Sequence, residues 1–236
     1  MRNQIIEFYN DPDFQRLNSY YNRTTIFNIL NIERRELSHS AFLKWLFDIN
    51  GSHNLNDEPL KKLLRHIANA DDCKNILNET EKTKVDNVIN ALLTGDYKIK
   101  DFNIETEKAV GEGENNGRID IFVECSMRMD EQDEKVLVII ENKVESKHHD
   151  EQTTTYIEWA SKKYNVNECV IIPIYLTPYP ESEKDEIVNY FIITYQDILD
   201  YVIEPLLNME MNGYTKIILE DYIVNLGQPK KGLKET

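Results

Sequence analysis

The sequence predicts a mixed α/β protein, helical on its N-terminal side and strand-rich at its centre. Up to residue 96, apolar positions recur at three- and four-residue spacings, as on amphipathic helices. From Tyr97 onward they alternate or run continuously, as in strands, and helical spacing returns from Tyr195. A chain of 236 residues, 41% of them hydrophobic, can bury a large core. The expected organisation is therefore one domain over 1–236: a mainly helical part (1–96), an α/β core (97–228) and a frayed tail (229–236).

In order along the chain, "NSYYNRTTIFNIL" (18–30) and "LSHSAFLKWLFDIN" (37–50) read as helices. In the second, Phe42, Leu43, Leu46 and Phe47 form one stripe, and Ser38 or Ser40 can cap its start. "GSHNLNDEP" reads as a loop, and "EPLKKLLRHIANA" as a helix with Pro59 in a tolerated first-turn position. The polar span from Asp71 to Asp86 is expected to be partly helical. "YKIKDFNIETEKAV" then reads as a strand, "GEGENNG" as a turn-rich loop, and "RIDIFVEC" as a strand alternating Ile119, Ile121 and Val123 with Arg118, Asp120, Phe122 and Glu124. "SMRMDEQDEK" reads as an acidic connection, and "VLVIIEN" as the continuous apolar run of a central strand. A helix over "ESKHHDEQTTTYIEWASKKYN" is expected to turn Tyr156, Trp159 and Ala160 inward. "CVIIPIYLT" reads as a buried strand weakened at Pro173, and "YFIIT" as a short fifth one.

Composition removes several function classes. No apolar run is long enough for a membrane span, and "MRNQIIEFYNDPDF" lacks the apolar core of a signal peptide, so a cytoplasmic location without membrane association is expected. Cys73, Cys125 and Cys169 are too far apart for a zinc or disulfide framework and read as small buried hydrophobes. The adjacent His148 and His149 do not share a face and suit an exposed loop or helix start better than a metal site. Gly111, Gly113 and Gly117 do not lie between a strand and a helix, so they form no phosphate loop. Forty-two acidic residues against 27 basic ones give a net charge of −15, which opposes non-specific adhesion to nucleic acid. An enzyme with a local basic groove remains compatible with that balance.

The chemistry-bearing residues lie in the strand region. Glu141 and Lys143 are two apart, so a strand turns them to one face. Asp120 sits on the expected antiparallel neighbour, where facing residues are about 5 Å apart. Asp120, Glu141 and a main-chain carbonyl such as that of Asn142 make an oxygen donor set suited to Mg²⁺ or Mn²⁺. A lysine beside such an ion can orient or help deprotonate water and stabilise charge on a phosphate.

Through "GRIDI" and "IIENK" the sequence resembles the PD-(D/E)XK nuclease superfamily, with Asp120 matching its metal-binding aspartate and Glu141 and Lys143 its (D/E)XK pair. "QTTTY", Gln152 to Tyr156, looks like the QxxxY element of RecB-type nucleases. "ELSHSAFLKWLFDINGSHNLNDEPLKKLL" looks like the N-terminal signature of a family in which a glutamate and a His-Ser pair precede a helix and a "GSH" loop. The resemblance spans roughly residues 33 to 176. It implies a restriction-endonuclease-like core, with a central mixed sheet of four to five strands flanked by helices, and it makes Glu36 the candidate acid from the first core helix. Gln152 and Tyr156 would orient the site or the substrate strand.

Plainer roles compete at several positions. Asp120 and Glu145 suit solvent, and Glu105 and Glu107, on the preceding strand's candidate face, suit an exposed edge more often than a further carboxylate of the site. Arg118 suits either a phosphate contact or an ion pair with Asp120 or Glu141. Tyr156, Trp45 and Trp159 suit the core, while His39 and His53 suit a helix-start or loop contact as well as a substrate groove. The leading expectation is a metal-dependent nuclease acting on nucleic acid, DNA foremost, in a defence, mobile-element or repair context. The competing one is an inactive binding or assembly module of the same fold. A second copy or a partner protein stays open.

Overall fold

The computed structural model describes residues 2–69, 79–110, 117–129, 131–144, 150–164, 169–178, 187 and 189–227. They group into two compact units, Met1–Glu33 with Asn212–Thr236, and Arg34–Met211.

The smaller unit holds α1 (Arg2–Asn10), α2 (Pro12–Tyr21), α3 (Ile26–Leu30) and the last helix, α10 (Gly213–Gly227). The single helix expected over 18–30 is thus corrected to two. Thr25 starts α3 with a capping box: Asn28 N donates to Thr25 Oγ1 at 3.3 Å, and Thr25 N donates to Asn28 Oδ1 at 2.9 Å. Short polar side chains in "NRTT" favour such caps over continued helix. Asn31, at φ 55°, closes α3 in the left-handed conformation. Phe27 packs on Tyr222 of α10 with ring centroids 5.5 Å apart, and Arg23 pairs with Asp221.

The larger unit begins with α4 (Glu36–Phe47), α5 (Glu58–Asn69) and α6 (Glu79–Thr94). A second correction concerns the start of α4. Arg35 occupies the cap position without a side-chain hydrogen bond, and Ser38 and Ser40 lie inside the helix. Ser40 is buried and spends its hydroxyl elsewhere, as described below.

Five strands among the described residues then form one sheet in the order β1 (Lys98–Val110), β2 (Gly117–Met129), β3 (Gln132–Asn142), β4 (Cys169–Thr177) and β5 (Phe191–Thr194). β1 to β3 are antiparallel, whereas β4 and β5 continue in parallel with β3. The parallel step from β3 to β4 requires a crossover, which α7 (Asp150–Tyr164) supplies. The acidic connection expected over 126–135 is corrected: β2 runs to Met129, which pairs with Gln132 at the start of β3. Its buried Cys125 and Met127 keep the alternation going, with Glu124, Ser126 and Arg128 on the opposite, less buried side.

Val136 to Ile140 are at most 1% exposed because β3 is central and covered on both faces. On one face Tyr156 and Ala160 of α7 pack against Phe122, Leu137 and Ile139. On the other, Leu60, Leu64 and Leu92 lie with Cys125, Met127, Val136 and Val138. Pro173 is tolerated in β4 because β5 pairs only from Ile174 onward. The closing helix expected from Tyr195 is a capped turn, α8 (Tyr195–Asp197), a π-helical stretch (Ile198–Ile203) and α9 (Glu204–Leu206). Residues 228–236, including the tail expected to fray, lie outside the described residues.

Candidate active site

The site forms where alternation on β3 passes from hydrocarbon to charge. Odd-numbered Leu137 and Ile139 face α7. Glu141 continues that face, and Lys143 just beyond the strand reaches it, Nζ lying 2.6 Å from Glu141 Oε1. Even-numbered Asn142 points the opposite way, toward α4. Its Nδ2 donates to Ser40 Oγ at 2.9 Å and to the Glu36 carbonyl at 3.3 Å, while Tyr195 Oη donates to its Oδ1. The buried amide therefore clamps the strand end to α4 and α8. Glu36 Oε1 also accepts from Val144 N at 3.0 Å, which brings the first core acid to the strand bearing Glu141 and Lys143.

Sheet register supplies Asp120. Ile121 pairs with Ile140, so continuing the register sets Asp120 across from Glu141. Asn142 N donates to Asp120 Oδ2 at 2.7 Å, tying the two strand ends together. On the other side of β2, Thr106 pairs with Ile121 and Lys108 with Ile119, which sets Glu107 across from Asp120. Three carboxylates thus cross three strands in one row. The sequence offered Glu105 and Glu107 alike, as a further carboxylate for the site or as an exposed edge, since register cannot be read from β1 alone. Arg118 pairs with neither Asp120 nor Glu141: its Nη1 lies 3.5 Å from Glu107 Oε2.

Burial and mutual repulsion set the electrostatics. Burial and the Glu141 charge push Asp120 up to about 7, against the opposing Asn142 N–H and Lys143. Burial also raises Glu141, assisted by Glu36 and Glu107 and opposed by Lys143. Burial alone would lower Lys143, yet Glu141, Asp120 and Glu36 outweigh it and hold the ammonium above the ordinary lysine value. Glu141 is 2% exposed, and its Oε2 has no hydrogen-bond partner among the described residues. A buried carboxylate oxygen without a donor is costly unless a cation or water reaches it.

Tyr156 is buried against the same strands and donates from Oη to the Arg118 carbonyl at 2.8 Å. A Cβ on Gly117 would lie 2.6 Å from Tyr156 Cε1, so glycine at this position admits the ring. Gln152 is on α7, but its side chain lies outside the described residues, as do Glu145, His148, His149 and Cys73. Cys125 and Cys169 are buried thiols. Trp159 packs on Phe122 at 5.8 Å, and His39 is buried against Tyr195 at 5.4 Å. His53 holds its own loop. Leu55 N donates to its Nδ1 at 2.9 Å, so Nε2 carries the proton, 3.0 Å from the Asp48 carbonyl. A Cβ on Gly51 would meet that ring at 2.7 Å, and Trp45 Nε1 donates to Ser52 Oγ at 3.0 Å. "GSH" is thus a packing unit.

The family model of the PD-(D/E)XK nuclease superfamily matches residues 24–223. The chain belongs to this superfamily. The five-stranded mixed sheet flanked by helices agrees with its restriction-endonuclease-like fold. No curated protein and no solved structure matches the chain. Membership in a superfamily of nucleases supports hydrolase chemistry on nucleic acid, for which its enzymes typically use divalent metals. Among the described residues, no three His, Cys, Asp or Glu side chains are already gathered at metal-ligand spacing. Asp120 and Glu141 would offer hard carboxylate oxygens, which suit an ion that fills its remaining positions with water. Glu141 Oε2, without a hydrogen-bond partner among the described residues, fits such an ion. No helix among the described residues is long and apolar enough to cross a membrane.

Proposed function

We propose that the protein is a metal-dependent nuclease, hydrolysing phosphodiester bonds of DNA foremost, with Mg²⁺ or Mn²⁺. The observation that carries this reading is the buried Glu141 set across from Asp120, with Lys143 on one Glu141 oxygen and no partner on the other among the described residues. Asp120, Glu141 and the Asn142 carbonyl would hold the ion, whose contribution is Lewis-acid stabilisation of charge on the phosphate and a more acidic water.

The remaining work falls to the chain. Lys143, kept as an ammonium by its acidic neighbours, orients the attacking water through its N–H donors and balances charge developing on the phosphate. Glu36 holds the Val144 amide and so steadies the strand end that carries Lys143. Tyr156 holds the Arg118 carbonyl, which sets the start of the strand bearing Asp120. Gln152, on the same helix as Tyr156, orients the substrate strand. Tyr175 and Tyr190, with Ile187, line the neighbouring apolar cluster and restrict water around Glu141.

The test is incubation of the purified chain with single- and double-stranded DNA and RNA in Mg²⁺ or Mn²⁺. Expected is cleavage that EDTA abolishes, reduced about a hundredfold or more in Asp120→Asn and Lys143→Ala. Intact substrates with a folded protein sink the reading and leave the non-catalytic binding module in its place.

A further inference from the structure

The row of acids that crosses the sheet starts one strand before the residues assigned above, at Glu107. Its neighbours Thr106 and Lys108 pair with Ile121 and Ile119, which brackets Glu107 opposite Asp120. Its backbone is at φ 54°, a left-handed conformation that a non-glycine residue adopts at a cost and that a strand does not require. The Glu107 charge reaches Asp120, Glu141 and Tyr156 together. Its side chain is 35% exposed, and its ion-pair partner, Arg118, is 70% exposed, so the pair is water-screened and readily exchanged.

A cluster of acids would be no more than repulsion without something that draws positive charge into it. The second observation is Glu141 Oε2, in a side chain 3% exposed and without a hydrogen-bond donor among the described residues. Glu141 and Glu107 both bear on Asp120, and Glu36 and Glu107 both bear on Glu141, while Lys143 alone opposes them in each case among the charged side chains acting there.

Resting on the nuclease reading above, we propose that Glu107 is a positioning residue of the cation site, whose carboxylate accepts hydrogen bonds from the water shell of a divalent ion held by Asp120 and Glu141. Acting through water accounts for the absence of a third acid at direct ligand spacing among the described residues. The left-handed backbone of Glu107 falls at the β1 position that the register sets across from Asp120. Arg118, released when Glu107 turns to the ion, becomes available to a phosphate at the rim of the site.

The experiment is calorimetric titration of Mn²⁺ into the whole chain and three variants, with urea midpoints measured in EDTA. Asp120→Asn should abolish binding. Glu107→Gln should weaken it about tenfold, the scale of an outer-shell ligand contact, with an unchanged or higher urea midpoint. Arg118→Ala should leave Mn²⁺ affinity at or above that of the parent. Parental affinity in Glu107→Gln overturns the proposal while leaving the Asp120–Glu141 site intact. Equal weakening in Arg118→Ala, or a fall in the Glu107→Gln urea midpoint, also overturns it, because Glu107 would then act only through its ion pair or the fold. An absence of Mn²⁺ binding in the parent chain removes the cation reading and this proposal together.

Discussion

At the scale of single residues, the site depends on a carboxylate that folding alone leaves badly solvated. Among the described residues Glu141 is paired on one oxygen, and Lys143 is its compensation there. Removing one partner of such a buried pair costs far more than the pair itself contributes. Lys143→Ala should therefore destabilise the protein by about 3 kcal/mol in urea unfolding, and Lys143→Met combined with Glu141→Gln by clearly less. Similar losses in both would mean that the lysine stem, rather than its charge, matters there. His53 gives a pH dependence of definite sign. Burial lowers its affinity for a proton in the folded state, while the unfolded chain protonates it near the ordinary value of about 6.5. The unfolded state then binds more protons below that value, so the His53 contribution is complete above about 6.5 and declines as the pH falls through it. Between about pH 8 and 5, the stability difference between the parent and His53→Gln should shrink on acidification. A pH-independent difference would contradict the neutral, loop-holding histidine.

At the scale of elements, short polar residues decide boundaries that apolar spacing misses. Thr25 and Asn28 break what the pattern alone reads as one helix, because a capping box satisfies donors that a continuous helix would pair differently. Ser38 and Ser40 look like caps yet lie inside α4, where Ser40 serves an asparagine on a strand far away in sequence. The join between β2 and α7 depends on Gly117, whose missing side chain makes room for Tyr156. Gly117→Ala should cost about 1–3 kcal/mol, since an aromatic ring wedged between elements cannot retreat as a flexible chain can. A double-mutant cycle with Tyr156→Ala should recover most of that loss, and additive losses would place the strain in the backbone instead.

At the scale of the whole molecule, a net charge of −15 means that nucleic acid has to be held by a few local cations against a repulsive surround. Arg118 is an exposed cation beside the acid row, already paired to one of its members. In the non-cleaving Asp120→Asn protein, DNA affinity should fall with salt, and Arg118→Ala should make the log–log slope shallower by about 0.7–0.9, one phosphate contact. An unchanged slope would remove Arg118 from the substrate path. The small number of such cations is also the reason a binding-only role is the natural competitor to cleavage.

What the sequence determined by itself was local. Alternation and apolar runs marked the strands, and a spacing of two placed Glu141 and Lys143 together, because strand side chains repeat with that period whatever they pack against. What only the tertiary structure decided was everything that depends on register and on contacts between distant segments. Glu107 stands opposite Asp120, Asn142 is held by Ser40 and Tyr195, and Arg118 is paired with Glu107 instead of Asp120 or Glu141. Those relations follow from how strands slide into pairing and which helix covers their ends, and a one-residue slip would turn the same acids to the opposite face.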